Sequence, residues 1–153
     1  MRQRQVKDSG KMIISIDPDT EASGVAILEA PWRLADVMLS RKSLPELFTW
    51  LYEHPAAVVA IEAGWMNAKG LAFIPGRQRA IRVGRNHEIG LQLVKLCERL
   101  DRFFLCWRPV GAKWSHEDFV RVTGSPITRT NQEERDAVRC LVMSSGIEIS
   151  RTL

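Results

Sequence analysis

At 153 residues, 45% of them apolar, the chain is sized for one domain with a real hydrophobic core. Its 22 basic and 18 acidic residues leave a net charge of +4, which suits a polyanionic partner without establishing one. No apolar run is long enough to span a bilayer and the start does not resemble a secretory signal. The three cysteines, Cys97, Cys106 and Cys140, are odd in number and far apart. They fit a reduced cytoplasmic protein better than a disulfide or zinc framework.

Residues 1–11 are polar and basic and read as a flexible arm, with residues 12–153 as the folded domain. Met12 to Ile16 is an apolar run that ends in Asp17, and a second apolar run, Gly24 to Leu28, follows a turn, in a strand that reaches about Glu29. Together they predict a strand hairpin. Pro31-Trp32 reads as a turn, and Leu34 to Leu39 as a third strand, so the first three strands form an antiparallel meander. Ser43, with Glu46 three residues on, predicts a capped helix whose apolar positions are Leu44, Leu47, Phe48 and Leu51. Ala57 to Ile61 is short and fully apolar, as in a strand buried on both faces of a parallel pairing. After a loop containing Gly64, Gly70, Pro75 and Gly76, a long helix is expected from Arg77 to Leu100. Phe103 to Trp107 reads as a fifth strand. Ser115 with Asp118 predicts a short capped helix to Val122, and Asn131 with Glu134 a last helix to about Ser144. The order β-β-β-α-β-α-β-α-α makes an α/β domain, a mixed five-stranded sheet flanked by helices.

Three segments of this plan carry acids where acids are costly. Asp17 and Glu62 each end an apolar strand, and a charge there needs a partner or a cation. On the last helix Glu133 and Asp136 are three residues apart and so share a face. Acids early in a helix also suit its dipole, but Asp136 lies deeper, beside Ala137, Cys140, Leu141 and Val142. Oxygen ligands of this kind suit magnesium. Two divalent ions about 4 Å apart can both strengthen an attacking water and stabilise a leaving alkoxide in phosphodiester hydrolysis. No His/Cys set has zinc spacing.

The same segments resemble the motifs of RuvC-like Holliday junction resolvases. Ile16-Asp17-Pro18-Asp19-Thr20 with Ser23-Gly24-Val25-Ala26 is similar to their first motif, Ile61-Glu62 with Trp65-Met66 to their second, and Glu133-Glu-Arg-Asp136-Ala137 to their third. Arg82-Val-Gly84 resembles the start of their long helix, and Pro109, Lys113 and Val122-Thr-Gly124 the segment after their fifth strand. The likeness runs from about Met12 to Met143. It implies the RNase H-like fold and a homodimer that nicks four-way DNA junctions symmetrically with Mg²⁺ or Mn²⁺, two ions per active site. Asp17, Glu62, Glu133 and Asp136 would be the catalytic metal ligands. The chain departs from the pattern at Asp19, where the family has Gly, at Glu133, where Asp is common, and in the short stretch from Thr123 to Asn131. There Arg129 is the one basic residue available before the last helix. The short form looks more like the phage or prophage branch.

Arg77, Arg79, Arg82 and Arg85 cluster at the start of the long helix, and Lys69 lies in the loop before it. They are candidates for phosphate contact or for a solvated basic face, and Lys113 and Arg129 are weaker candidates of the same kind. Trp65, or second Phe73, could stack on an unpaired base, or Trp65 could fold back on the core. Trp32, Trp50, Trp107 and Trp114 read as packing residues, and His87 and His116 as surface or satisfied histidines. Ile89, Leu93, Leu96 and Leu100, flanked by Leu91 and Val94, make a wide apolar surface on the long helix. It would be covered by a neighbouring helix or by a second subunit across residues 77–100. Two other classes compete with the nuclease. One is a DNA-binding module without activity, against which the retained acids argue. The other is an actin-like or sugar-kinase ATPase, for which the chain is too short and in which Asp19 would replace a glycine that approaches phosphate. No nucleotide cofactor is expected.

Overall fold

The structure is a computed structural model that describes residues 12–67 and 76–145. β1 (Met12–Asp17) and β2 (Ser23–Glu29) form the expected hairpin, with Ile14 opposite Ile27 and Asp17 opposite Gly24. Asp19 shapes the turn between them. Its backbone N–H donates to Ser23 Oγ at 3.0 Å, and its carboxylate accepts from the Glu21 N–H at 3.0 Å, an Asx turn.

The third strand is displaced from its expected position. Leu34–Asp36 is a 3₁₀ turn and β3 is Met38–Lys42. The cause is spacing: Leu34 and Val37 are three apart, the 3₁₀ period, and both are buried in one cluster. The apolar pattern that reads as alternation is a turn followed by a strand.

α1 (Leu44–Glu53) starts at the Ser43–Glu46 capping box with a proline in its first turn. β4 (Val58–Glu62) pairs parallel to β1 in the register Ile16 to Ile61. A second 3₁₀ turn, Gly64–Met66, follows. α2 (Arg77–Arg99) then leads to β5 (Phe104–Trp107), parallel to β4. α3 (His116–Thr123) has the Ser115–Asp118 capping box and ends at the left-handed Gly124, φ 66°. α4 (Gln132–Ser145) begins with reciprocal bonds between Asn131 and Glu134. The sheet order is β3-β2-β1-β4-β5.

Strand alternation divides the core in two. Ile14, Ile16, Val25, Val59 and Ile61 pack against Leu47 and Leu51 of α1 and Leu93 and Cys97 of α2. Ala26 and Leu28 pack on the other face against Phe119 of α3 and Ala137, Val138, Leu141 and Val142 of α4. Each fully buried large apolar side chain contributes about 1.5–3 kcal/mol, so both faces are firmly covered. The same alternation turns Asp17, next after Ile16, and Glu62, next after Ile61, toward α4.

Candidate metal centre

The parallel pairing of β1 with β4 brings Asp17 and Glu62 side by side at the carboxyl edge of the two central strands. α4 crosses that face, and its second turn supplies Asp136. One oxygen from each of Asp17, Glu62 and Asp136 lies within 4.8 Å of the other two. Asp136 is buried and the other two are half-buried. Three acids read as separate motifs are therefore one cluster.

Burial, then the charges of Glu62 and Asp136, push Asp17 well above the ordinary 3.8. Burial, then Asp136, raise Glu62 from 4.5 to about 7. Carboxylates this close do not all ionise without a compensating cation. Glu62 Oε2 is buried and has no hydrogen-bond partner, a costly state that a bound cation relieves. The all-carboxylate donor set is that of a hard ion such as Mg²⁺ or Mn²⁺, so the residues fit the group. Glu133 stands outside the three-oxygen cluster. Its charge nevertheless raises Asp17.

Several residues hold the acids in place, and sequence reasoning missed most of them. Gln132, four residues before Asp136 on the same helix face, donates from Nε2 to Asp136 Oδ1 at 2.7 Å. Lys113 Nζ donates to Asp136 Oδ2 at 3.1 Å. Burial opposes the Lys113 charge, but the bond to Asp136 and the nearby Asp17 and Glu62 hold its pKa above the ordinary 10.5. Arg139 is buried. It donates to the carbonyls of Ala112, at 3.0 Å, and Val110, and lies 5.2 Å from the Trp107 ring centroid. It fastens the loop that carries Lys113 and adds a positive charge that favours ionised Glu62. A cation inside the stripe Ala137, Val138, Cys140, Leu141 was the one signal for it in the sequence. Asn86 of α2 accepts from the Thr20 N–H at 2.9 Å and from Thr20 Oγ1 at 2.8 Å, pinning the turn after Asp17. A Cβ on Gly24 would land on the backbone carbonyl of Glu133, so this glycine lets α4 approach β2.

The DNA candidates divide. Arg77, Arg79, Arg82 and Arg85 are exposed along one end of α2, and Arg129 is exposed before α4. Lys113 is at the acids, 69% of its side chain exposed. Trp65 is half-buried and folded back: it packs against the α2 side of the core, and its ring occupies the space that a Cβ on Gly90 would need, beside Pro18. Of the two roles open to it, packing is the one seen. Lys69, Phe73 and residues 1–11 lie outside the described residues. Trp32, Trp50 and Trp114 pack against the cores. His116 Nδ1 is 2.9 Å from Thr130 Oγ1, and His87 is half-buried against Gly64. The cysteines are free, and burial raises Cys97 to about 11 and Cys140 to about 12. No helix among the described residues is long and apolar enough to cross a membrane.

No family model and no curated protein sequence matches the chain. Solved structures do match. A Thermus thermophilus RuvC in complex with Holliday junction substrate is 15% identical with a TM-score of 0.55, over 85% of this chain and 89% of that one. A second T. thermophilus RuvC structure is 15% identical with a TM-score of 0.50, over 84% and 90%. With the mixed five-stranded sheet flanked by helices on both faces, these likenesses show that the chain has the RuvC-like form of the RNase H-like fold.

Proposed function

We propose that the chain is a metal-dependent, structure-selective DNA endonuclease that resolves four-way junctions by symmetric nicking. The observation that carries this reading is the convergence of Asp17, Glu62 and Asp136 with a buried, unpartnered Glu62 oxygen. Two Mg²⁺ or Mn²⁺ ions held there would supply an activated water and stabilise the departing alkoxide. Asp17, Glu62 and Asp136 hold the ions, and Glu133, with its longer side chain, reaches in as a fourth ligand. Lys113 stabilises the charge of Asp136 and stands exposed at the rim, where it can meet a phosphate. Arg77, Arg79, Arg82 and Arg85 take backbone phosphates of the DNA arms, with Arg129, and with Lys69, which precedes them in the sequence.

The branched substrate is favoured by the likeness to a RuvC bound to a Holliday junction. A two-fold junction is matched by a two-fold protein, and α2 is the surface on which we place that dimer. Ile81 and Leu91 on this helix are exposed.

The test is nicking of a synthetic four-way junction, with duplex and single-stranded controls. Wild-type protein is expected to cut the junction in Mg²⁺. Asp17→Asn and Glu62→Gln are expected to bind it and to lose more than about a hundredfold in rate, because groups that only support a metal ligand are already worth about 10–100-fold. Normal cutting by either variant sinks the proposal. Junction binding by wild type with no cutting in either ion would leave a DNA-binding module of the same fold.

A further inference from the structure

A cleft of about 650 Å³ opens on the Glu133 side of the acidic cluster. The β1–β2 turn forms one side, the first turns of α2 another, and Arg41 of β3 a third. Glu133 is the wall shared with the metal centre.

Strand register sets the geometry. Asp17 pairs with Gly24, and Gly24 with Arg41, so the three form one row on the α4 side of the sheet. Arg41 therefore stands two interstrand spacings from Asp17, roughly 9–10 Å. This backbone spacing puts Arg41 on the same face as Asp17 and to one side of it. Arg41 Nη2 donates to the Ala22 carbonyl at 2.8 Å. This bond fixes the guanidinium while leaving its other N–H groups for a ligand.

The cleft's guanidinium groups are also free of ion pairs. Arg82 and Arg85, one turn apart on α2, line the opposite wall. The ion pairs among the described residues are Arg33–Asp36, Lys113–Asp136 and Arg121–Asp118, so neither wall arginine is committed to a carboxylate. Of the cleft's acids, Asp19 is engaged by the Glu21 N–H in the turn, and Glu133 is close enough to Asp17 to affect it. Arg41, Arg82 and Arg85 share the cleft with the carboxylates of Asp19, Glu21 and Glu133, and none of the three arginines is held in an ion pair with them.

We propose that this cleft seats the phosphate backbone of the strand being cut, adjacent to the scissile phosphate, with Arg41 as its fixed anchor and Arg82 and Arg85 as the facing contacts. That this strand is the one cut rests on the endonuclease reading; the backbone seat itself rests on the cleft. Arginine is suited to this because its planar fork grips phosphate with two donors.

The experiment measures equilibrium binding of a synthetic four-way junction across a salt series in chelator, together with single-turnover nicking in Mg²⁺. It compares wild type, Arg41→Gln, Arg41→Lys and the double variant Arg82→Gln/Arg85→Gln. Arg82 and Arg85 are exposed and make no side-chain hydrogen bond or ion pair among the described residues, so the double variant tests the cleft even if Arg41→Gln does not fold. Each lost phosphate contact is expected to lower the slope of log affinity against log salt by about 0.9. Nicking should slow severalfold at limiting protein and little at saturation, and Arg41→Lys should keep the salt slope. Unchanged slope and affinity in both Arg41→Gln and the double variant overturn the cleft while leaving wild-type nicking, and so the nuclease reading, intact. Reduced slopes in a wild-type protein that binds but never nicks uphold the backbone site and remove the nuclease. No junction binding by wild type defeats both.

Discussion

Glu62 shows most directly what its site demands. Its ordinary value is 4.5 and burial beside Asp136 raises it to about 7. A carboxyl raised on folding stabilises the protein below its unfolded value, and that stabilisation is lost as pH rises through the folded value. Asp17 is shifted in the same direction. Metal-free protein should therefore lose melting temperature between about pH 4.5 and about pH 7. Glu62→Gln, which never ionises, should be the more stable protein above that window, and added Mg²⁺ should reverse the order. Calorimetry of the two proteins with and without Mg²⁺ decides it; parallel pH curves in chelator would contradict the packing described. Arg139 is the opposite kind of residue, a permanent charge with permanent work. Arg139→Leu leaves the Val110 and Ala112 carbonyls unpaired, and hydrogen bonds to charged groups are worth about 1.5–3 kcal/mol each. We expect urea denaturation to show a loss of at least about 2 kcal/mol, and Arg139→Lys to recover little, because one ammonium cannot copy the fork.

Among the elements, α4 does the most. It packs against β1 and β2, carries Asp136, and closes over Gly24. Gly24→Ala forces the Glu133 backbone away, and overpacking of this kind costs about 1–3 kcal/mol. The same shift moves Asp136 off Asp17, so Mg²⁺ affinity measured by titration calorimetry should fall with stability. A stability loss with unchanged affinity would mean that α4 recovers its seat. The helix starts were legible because capping is local chemistry: Ser43–Glu46, Ser115–Asp118 and Asn131–Glu134 are each written within four residues. The third strand was misread because the segment from Leu34 to Leu39 is apolar enough to pass for a strand, whereas Leu34 and Val37, three apart, share one face in a 3₁₀ turn and not in a strand. Trp65 could not be assigned from its own neighbours, since its resting place depends on Gly90, a residue of another helix.

For the whole molecule, the order of elements was readable and the three converging acids followed from it, because each sat at the end of an apolar run or beside one. Arg41 was not readable. Its relation to Asp17 passes through Gly24 and two strand registers, and pairing partners are a property of the assembled sheet. The proposed dimer is also a matter of the whole. Leu91, 37% exposed, lies on α2, and a charge there is tolerable in a monomer and costly in a buried interface. Sedimentation equilibrium should give a dimer for wild type and a monomer for Leu91→Glu with similar melting temperature. A monomeric wild type would remove α2 as a subunit interface.

Asp17 and Glu62 become neighbours as soon as β1 and β4 pair, but Asp136 joins them only when the last described helix docks. A half-synthesised chain thus owns two thirds of an ion site and none of its nearby lysine. On the nuclease reading proposed above, the capacity to cut would arrive late, with the finished core, and a chain that stalls before the last described helix docks would lack one of the three clustered acids.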